Sequence, residues 1–239
     1  MAGAARERFR REAQELAERE ALAEIAFAYR LVPIERIEAP PPSRGRGWGE
    51  GAVADSFSGH SAVTTLSPPP LPSRERGLLH IGGEALDAAR LLPESGTLTA
   101  LACGVCTIGS RLERRVSALF VERKMSLALA LDALGNELLR IAVRRLQDRM
   151  LADARRQGLS MAGELRPGDP GLALAAQPAV LRLAGAESIG VSVTSGLALD
   201  PLKSASMVLG VGIDLPPARW SRCDDCPTAP RCGMAREPA

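Results

Sequence analysis

The sequence predicts an α+β domain, a small and mainly antiparallel sheet packed with a long central helix. Three observations carry this. Thr97 to Ile108 is an uncharged run rich in Thr, Leu, Val and Cys, and Ser204 to Ile213 is a second β-rich run. Between them, Leu127, Leu131, Leu134, Leu138 and Ile141 recur at helical spacing through Ser126 to Gln157, with arginines covering the other positions. Hydrophobic residues make up 46% of the chain but aromatic ones only 3%, so the core is built from Leu, Val, Ile and Ala.

Taken in order, residues 4–30 alternate Arg and Glu with Ala and Leu, and many opposite charges fall a helical turn apart. That pattern predicts a solvated helix with Leu16, Leu22, Ile25 and Tyr29 as its apolar stripe, within an N-terminal helical segment of residues 1–38. Residues 39–77 turn to Pro, Ser, Gly and Arg and bury too little apolar surface to offset the entropy of ordering, which predicts a disordered insertion. His60 lies inside it and reads as solvated. From Leu78 order resumes, and Glu84 to Leu92 reads as a short helix closed near Pro93. Cys103 and Cys106 stand three apart on the first long strand and therefore face opposite sides; a clamp made by both requires a bulge, with Gly104 the candidate. Ser110 is placed to cap a helix to Phe120, with Glu113 completing a capping box. Gly158 stops the long helix. Arg166 to Leu172 is rich in turn residues, Ala175 to Leu183 is a short helix, and Ile189 to Leu199 is a strand joined to the last one through a hairpin or tight connection at Asp200 to Lys203. The α+β domain thus spans residues 78–215, followed by a cysteine-rich tail, 216–239.

Thirty basic and 28 acidic residues nearly cancel to a net charge of +2, which argues against nucleic acid as the main partner. No apolar run reaches the roughly 18 to 20 residues that span a bilayer. Met1 to Arg11 carry charge of both signs and lack an apolar secretory core, so the expectation is a soluble, cytoplasmic protein without a membrane partner. Neither a phosphate-binding loop, nor a dinucleotide fingerprint, nor a Ser-His-Asp arrangement is present, and no residue stands out as catalytic.

Three of the five cysteines, Cys223, Cys226 and Cys232, lie in the tail with two and then five residues between them. In a reducing compartment this spacing fits an iron-sulfur cluster or a zinc ion, with Pro227 and Pro230 stiffening the loop. A fourth ligand is needed for a closed site. Cys103 or Cys106 supplies it if the tail folds back; otherwise the position is open or filled from outside, while the two strand cysteines serve as buried apolar residues. Arg219, Arg222 and Arg231 would lower the thiolate pKa, and Trp220 would cover the site.

Several short blocks follow one another along the chain: Thr107-Ile-Gly109 leading to Leu112-Glu113; Leu131-Asp-Ala-Leu-Gly135; Pro167-Gly168 followed by Leu174 and Gln177; Ile189-Gly-Val-Ser-Val-Thr194; and Pro201-Leu-Lys-Ser-Ala-Ser206 before a Gly-ending strand. In order and spacing they resemble the activation (reactivation) domain of cobalamin-dependent methionine synthase and its stand-alone, corrinoid-associated relatives with a C-terminal cysteine motif. The resemblance implies binding of S-adenosylmethionine, with Arg166, Pro167, Gly168, Thr194, Ser204 and Ser206 as the matching positions. It also implies docking on a cobalamin-binding methyltransferase to support reductive methylation of its inactive cofactor, an unfavourable reduction drawn forward by immediate methyl transfer. Asp169 stands where the relatives carry an aromatic residue, and Ser195 follows Thr194 where they carry Glu; each change removes about 1 to 3 kcal/mol of donor binding. The alternative reading is a non-catalytic binding or scaffold protein with a degenerate donor site and a structural zinc.

Overall fold

The structure, a computed structural model, describes residues 2–38 and 77–216. Helix α1 (Ala2–Arg19) leads into strand β1 (Ala26–Glu38), and β2 (Leu78–Ile81) and β3 (Glu84–Asp87) follow as a hairpin. Next come β4 (Thr97–Thr107), α2 (Arg111–Val121), α3 (Met125–Arg156), β5 (Ser160–Leu165) and α4 (Gln177–Ala184). A ribbon of β6 (Ser192–Val193) and β7 (Leu199–Asp200) precedes β8 (Ser204–Ile213). Six strands form one sheet in the order β3-β2-β1-β4-β8-β5, and every neighbouring pair is antiparallel.

The central strand β4 is covered on both faces. Ala100, Ala102 and Cys106 join Leu16, Leu112, Leu131 and Leu146 in a core beneath α1, α2 and α3. Leu101, Cys103 and Val105 join Leu79, Leu86, Val180 and Leu183 in a second core beneath α4 and the β2–β3 hairpin. A strand so covered has nowhere to put a charge without desolvating it, which explains the uncharged run. Helix α3 is the expected long element at 32 residues. Ile141, however, is 44% exposed, because Ala142 and Val143 take the inward positions at that turn.

Several sequence expectations are corrected. The N-terminal helix ends at Arg19; Ala21 turns the chain at a positive φ of 46°, and Ala26–Glu38 is a strand rather than helix. Phe27, Tyr29 and Leu31 face one core and Val32 and Ile34 the other, an alternation that only a strand permits. Residues 84–92 are not a helix: Glu84–Asp87 pairs with β2, and only Ala89–Leu91 forms a single 3-10 turn. Gly82 and Gly83, both at positive φ (53° and 76°), make the two-residue hairpin turn that dictates this pairing. The bulge in β4 falls between Leu98 and Ala100, not at Gly104, and pairing with β8 runs unbroken from Ala100 to Thr107. Cys103 and Cys106 therefore stay on opposite faces. Ile189 lies in a 3-10 turn, and residues 192–200 supply only the β6–β7 ribbon, so Asp200–Lys203 connects that ribbon to the main sheet instead of closing a hairpin with β8. Ser110 makes no side-chain cap, and the Glu113 carboxylate instead accepts the Leu202 N–H at 2.9 Å.

Candidate functional site

Three of the blocks that carry the resemblance, Thr107–Gly109, Leu131–Gly135 and Pro201–Ser206, meet where β4 ends and β8 begins, and Gln177 reaches β8 from its other face. Ile108 donates its N–H to the Lys203 carbonyl (3.1 Å), and Gly109 donates to Thr107 Oγ1 (3.0 Å). Ser204 Oγ lies 2.9 Å from Thr107 Oγ1, 97 residues away in sequence, and donates to the Pro201 carbonyl at 2.6 Å. One strand-to-turn exit is thereby tied to the other through hydroxyls that are buried and fully engaged.

The remaining contacts come from the helices. The Lys203 ammonium, its side chain only 9% exposed, meets Asp132 Oδ1 at 2.7 Å and Asn136 Oδ1 at 2.6 Å on α3. On the other side of β8, Gln177 at the start of α4 donates Nε2–H to Ser206 Oγ at 2.8 Å, with both residues buried. Asp132 and Asn136 stand four apart on one helical face, so a single lysine can take both. The sequence does not single out Lys203, Asp132, Asn136, Glu113 and Gln177 as site residues; the signal for all but Asn136 is their place inside the blocks that carry the resemblance.

Arg166 is placed differently. Its guanidinium pairs with Glu164 Oε1 at 2.8 Å, while the other oxygen of Glu164 accepts Gln147 Nε2–H from α3 at 2.6 Å. Leu165 between them is buried in the α4-side core, so Arg166 turns toward α3 and Ser204 and Ser206 do not share its surroundings. The Arg166 N–H donates to Asp169 Oδ2 at 2.9 Å, and the loop closes through Gly168 N–H on the Leu172 carbonyl. Gly168, at φ 97°, sits where a side chain would be strained, and Pro167 precedes it in the same turn. The exposed Thr194 is occupied within the ribbon turn, its Oγ1 accepting the Ala198 N–H at 3.1 Å. The structure thus unites Ser204 and Ser206 with Thr107, Lys203 and Gln177, and keeps Arg166 and Thr194 in their own local turns.

Burial pushes the Cys103 thiol up to about 12 and the Cys106 thiol up to about 11, the latter moderated by Arg166. Both are held protonated among apolar side chains, which opposes a thiolate role for Cys103. Among the described residues no group of three or more His, Cys, Asp or Glu is gathered to hold a metal ion. His80 is taken up by Arg36 (3.1 Å) and Glu38 (3.2 Å). His60, Trp220, Cys223, Cys226 and Cys232 lie outside the described residues, and among the described helices none is long and apolar enough to cross a membrane.

An antiparallel sheet with three helices on one face, one on the other, and a polar node at the β4–β8 end defines an α+β domain. The chain superposes on a solved MetH reactivation domain bound to AdoHcy with a TM-score of 0.55 and 14% identity, covering 93% of this chain and 69% of that one. The likeness is one of fold. No protein-family model and no curated protein matches the sequence.

Proposed function

We propose that this chain is an accessory protein that docks on a cobalamin-binding methyltransferase and supports its reductive reactivation, with S-adenosylmethionine as methyl donor. One observation carries the reading: the fold is that of a MetH reactivation domain, and the blocks Thr107–Gly109, Leu131–Gly135, Gln177 and Pro201–Ser206 meet at one end of its sheet. The donor would bind beside this node, with Arg166, Pro167, Gly168, Thr194, Ser204 and Ser206 as the positions to test. Calorimetric titration with S-adenosylmethionine and S-adenosylhomocysteine is the direct experiment. Saturable heat with both supports the reading, and no heat at millimolar ligand removes it.

The tail centre belongs to the same proposal. Cys223, Cys226 and Cys232 would hold an iron-sulfur cluster, which supplies one-electron chemistry when bound, or a zinc ion. The fourth position falls to a donor other than Cys103, whose thiol lies at the middle of the sheet. Iron, sulfide and zinc analysis after anaerobic purification separates a cluster from zinc, and the absence of both iron and zinc ends the metal claim. A cytoplasmic setting follows from this use of free thiols.

A second reading is favoured by the Arg166–Glu164 ion pair: with the guanidinium already engaged, and Asp169 and Ser195 at the departing positions, the chain would be a non-catalytic scaffold with structural zinc. Stoichiometric zinc with no donor heat is its signature.

A further inference from the structure

Helices α2 and α3 form an antiparallel hairpin: Gly135 lies against Leu112, and the chain reverses through Glu122 to Lys124 with Arg123 at φ 61°. Their sheet-facing side is core. Their other side is not covered by any described element toward the turn that joins them. Of the nine large apolar side chains exposed among the described residues, five belong to this corner: Phe120 (40%), Val121 (85%), Met125 (62%), Leu129 (62%) and Leu202 (66%).

These side chains share one strip. Glu113, Ser117, Phe120 and Val121 follow helical spacing on α2, as do Met125, Leu129 and Asp132 on α3. Leu202 sits across the far end, its N–H bonded to Glu113 and the next residue, Lys203, bonded to Asp132. Its exposure is imposed, since the residues on either side are fixed by the Ser204–Pro201 and Ile108–Lys203 bonds. A rigidly presented apolar side chain costs little ordering entropy on association, as interface anchors require.

Charge along the strip tells what fits it. At the α2–α3 turn stand Arg123 and Lys124, with Glu122 shared between Lys124 and Arg115. At the opposite end Glu113 bonds Leu202 and Asp132 is paired with Lys203, while the exposed Asp200 lies two residues before Leu202. Arg111, Arg114 and Arg115 turn away, lining a separate depression of about 300 Å³ with Leu22 and Ala118. A strip that is basic at one end, acidic at the other and apolar between is complementary to itself when rotated by a two-fold axis through its middle.

We propose that the strip from Val121 through Leu129 to Leu202 is the isologous interface of a homodimer, in which Arg123 of one copy faces Asp200 of the other. Apolar burial supplies the attraction, and the charge polarity sets the antiparallel orientation.

Sedimentation velocity on the full chain under reducing conditions, which exclude disulfides through the tail, tests this from micromolar to near-millimolar concentration. The weight-average mass should rise from 25.2 kDa toward twice that value as concentration increases. Leu129→Glu together with Leu202→Glu should keep it monomeric. Arg123→Glu or Asp200→Arg alone should raise the dissociation constant by about tenfold or more, and the two together should restore it. All four substitutions are at exposed positions, and an unchanged urea midpoint shows that the fold is kept. A wild-type chain that stays monomeric, or a dimer indifferent to both leucines, overturns the proposal. Loss with the leucines but no rescue by the paired reversal overturns the two-fold arrangement.

Discussion

Lys203 offers an asymmetry that the structure makes quantitative. Its side chain is 9% exposed while that of its partner Asp132 is 44% exposed, so the two members of one ion pair stand in different solvent. Replacing Lys203 with Met keeps the stem volume and leaves Asp132 free to hydrate, and by the scale of solvent-exposed pairs the loss should be about 1 kcal/mol. Replacing Asp132 with Ala leaves an ammonium enclosed with only Asn136 Oδ1, at 2.6 Å, to accept from it. Breaking a buried pair from this side costs about 3 to 5 kcal/mol when no partner remains, and the Asn136 bond should reduce that to about 2 to 3 kcal/mol. For a chain of this size that corresponds to a fall in Tm of about 4 to 12 °C. Urea denaturation followed by circular dichroism, with constant slope, reads both variants directly. Equal losses for Lys203→Met and Asp132→Ala would refute the reasoning, because they would mean that enclosure of the ammonium makes no difference.

Three other outcomes follow from particular contacts. Ser206→Ala should cost about 1 to 3 kcal/mol by leaving the buried Gln177 amide without its acceptor, and Ser206→Ala with Gln177→Leu should cost less than the sum of the single changes, as a double-mutant cycle of urea midpoints would show. In the native protein at pH 8, a thiol reagent should reach Cys103 and Cys106 only after denaturant is added, as mass spectrometry of the labelled peptides would show. Because the folded thiols lie at about 12 and about 11 against an ordinary 9.0, the folded state holds protons that the unfolded state releases, so stability should be full below pH 9 and fall as pH rises through 11 and 12. A urea midpoint that rises with pH over that range would contradict the burial.

Where burial is two-sided or periodic over many turns, the fold was legible. Strand β4 and helix α3 were read to within about two residues because one carries no charge and the other repeats leucine on one face. The misreadings share a cause. Ala21 ends α1 at a positive φ with no glycine or asparagine to mark the stop, so the following strand inherited the helix's Arg and Glu pattern. Glu84 to Leu92 is composed of good helix formers, and only the Gly82-Gly83 turn and the burial of Leu86 force it into the sheet. Of the candidate site, the hydroxyls of Ser204 and Ser206 were visible as a motif. Their partners on β4 and α4 were not, since nothing in a single sequence pairs residues 97 or 29 positions apart.

The motif residues that match the activation-domain pattern divide from those that depart from it. Thr107, Ser204, Ser206, Gln177 and Lys203 all take partners inside the fold, so their presence preserves the sheet end whether or not a ligand binds. Asp169 and Ser195, the departures, stand in the turns on which donor affinity would depend. On the proposed reading, Asp169→Tyr with Ser195→Glu should strengthen S-adenosylmethionine binding by about 1 to 3 kcal/mol, about 5- to 150-fold in Kd, for each recovered contact. The same change removes the Asp169 carboxylate from the Arg166 N–H and should lower stability by about 1 kcal/mol. Calorimetric titration and urea denaturation of the double variant read the two effects separately. A variant that loses stability as stated yet gains no affinity would mean that the loop from Arg166 to Leu172 is a structural turn, and that any donor site at this sheet end does not depend on it.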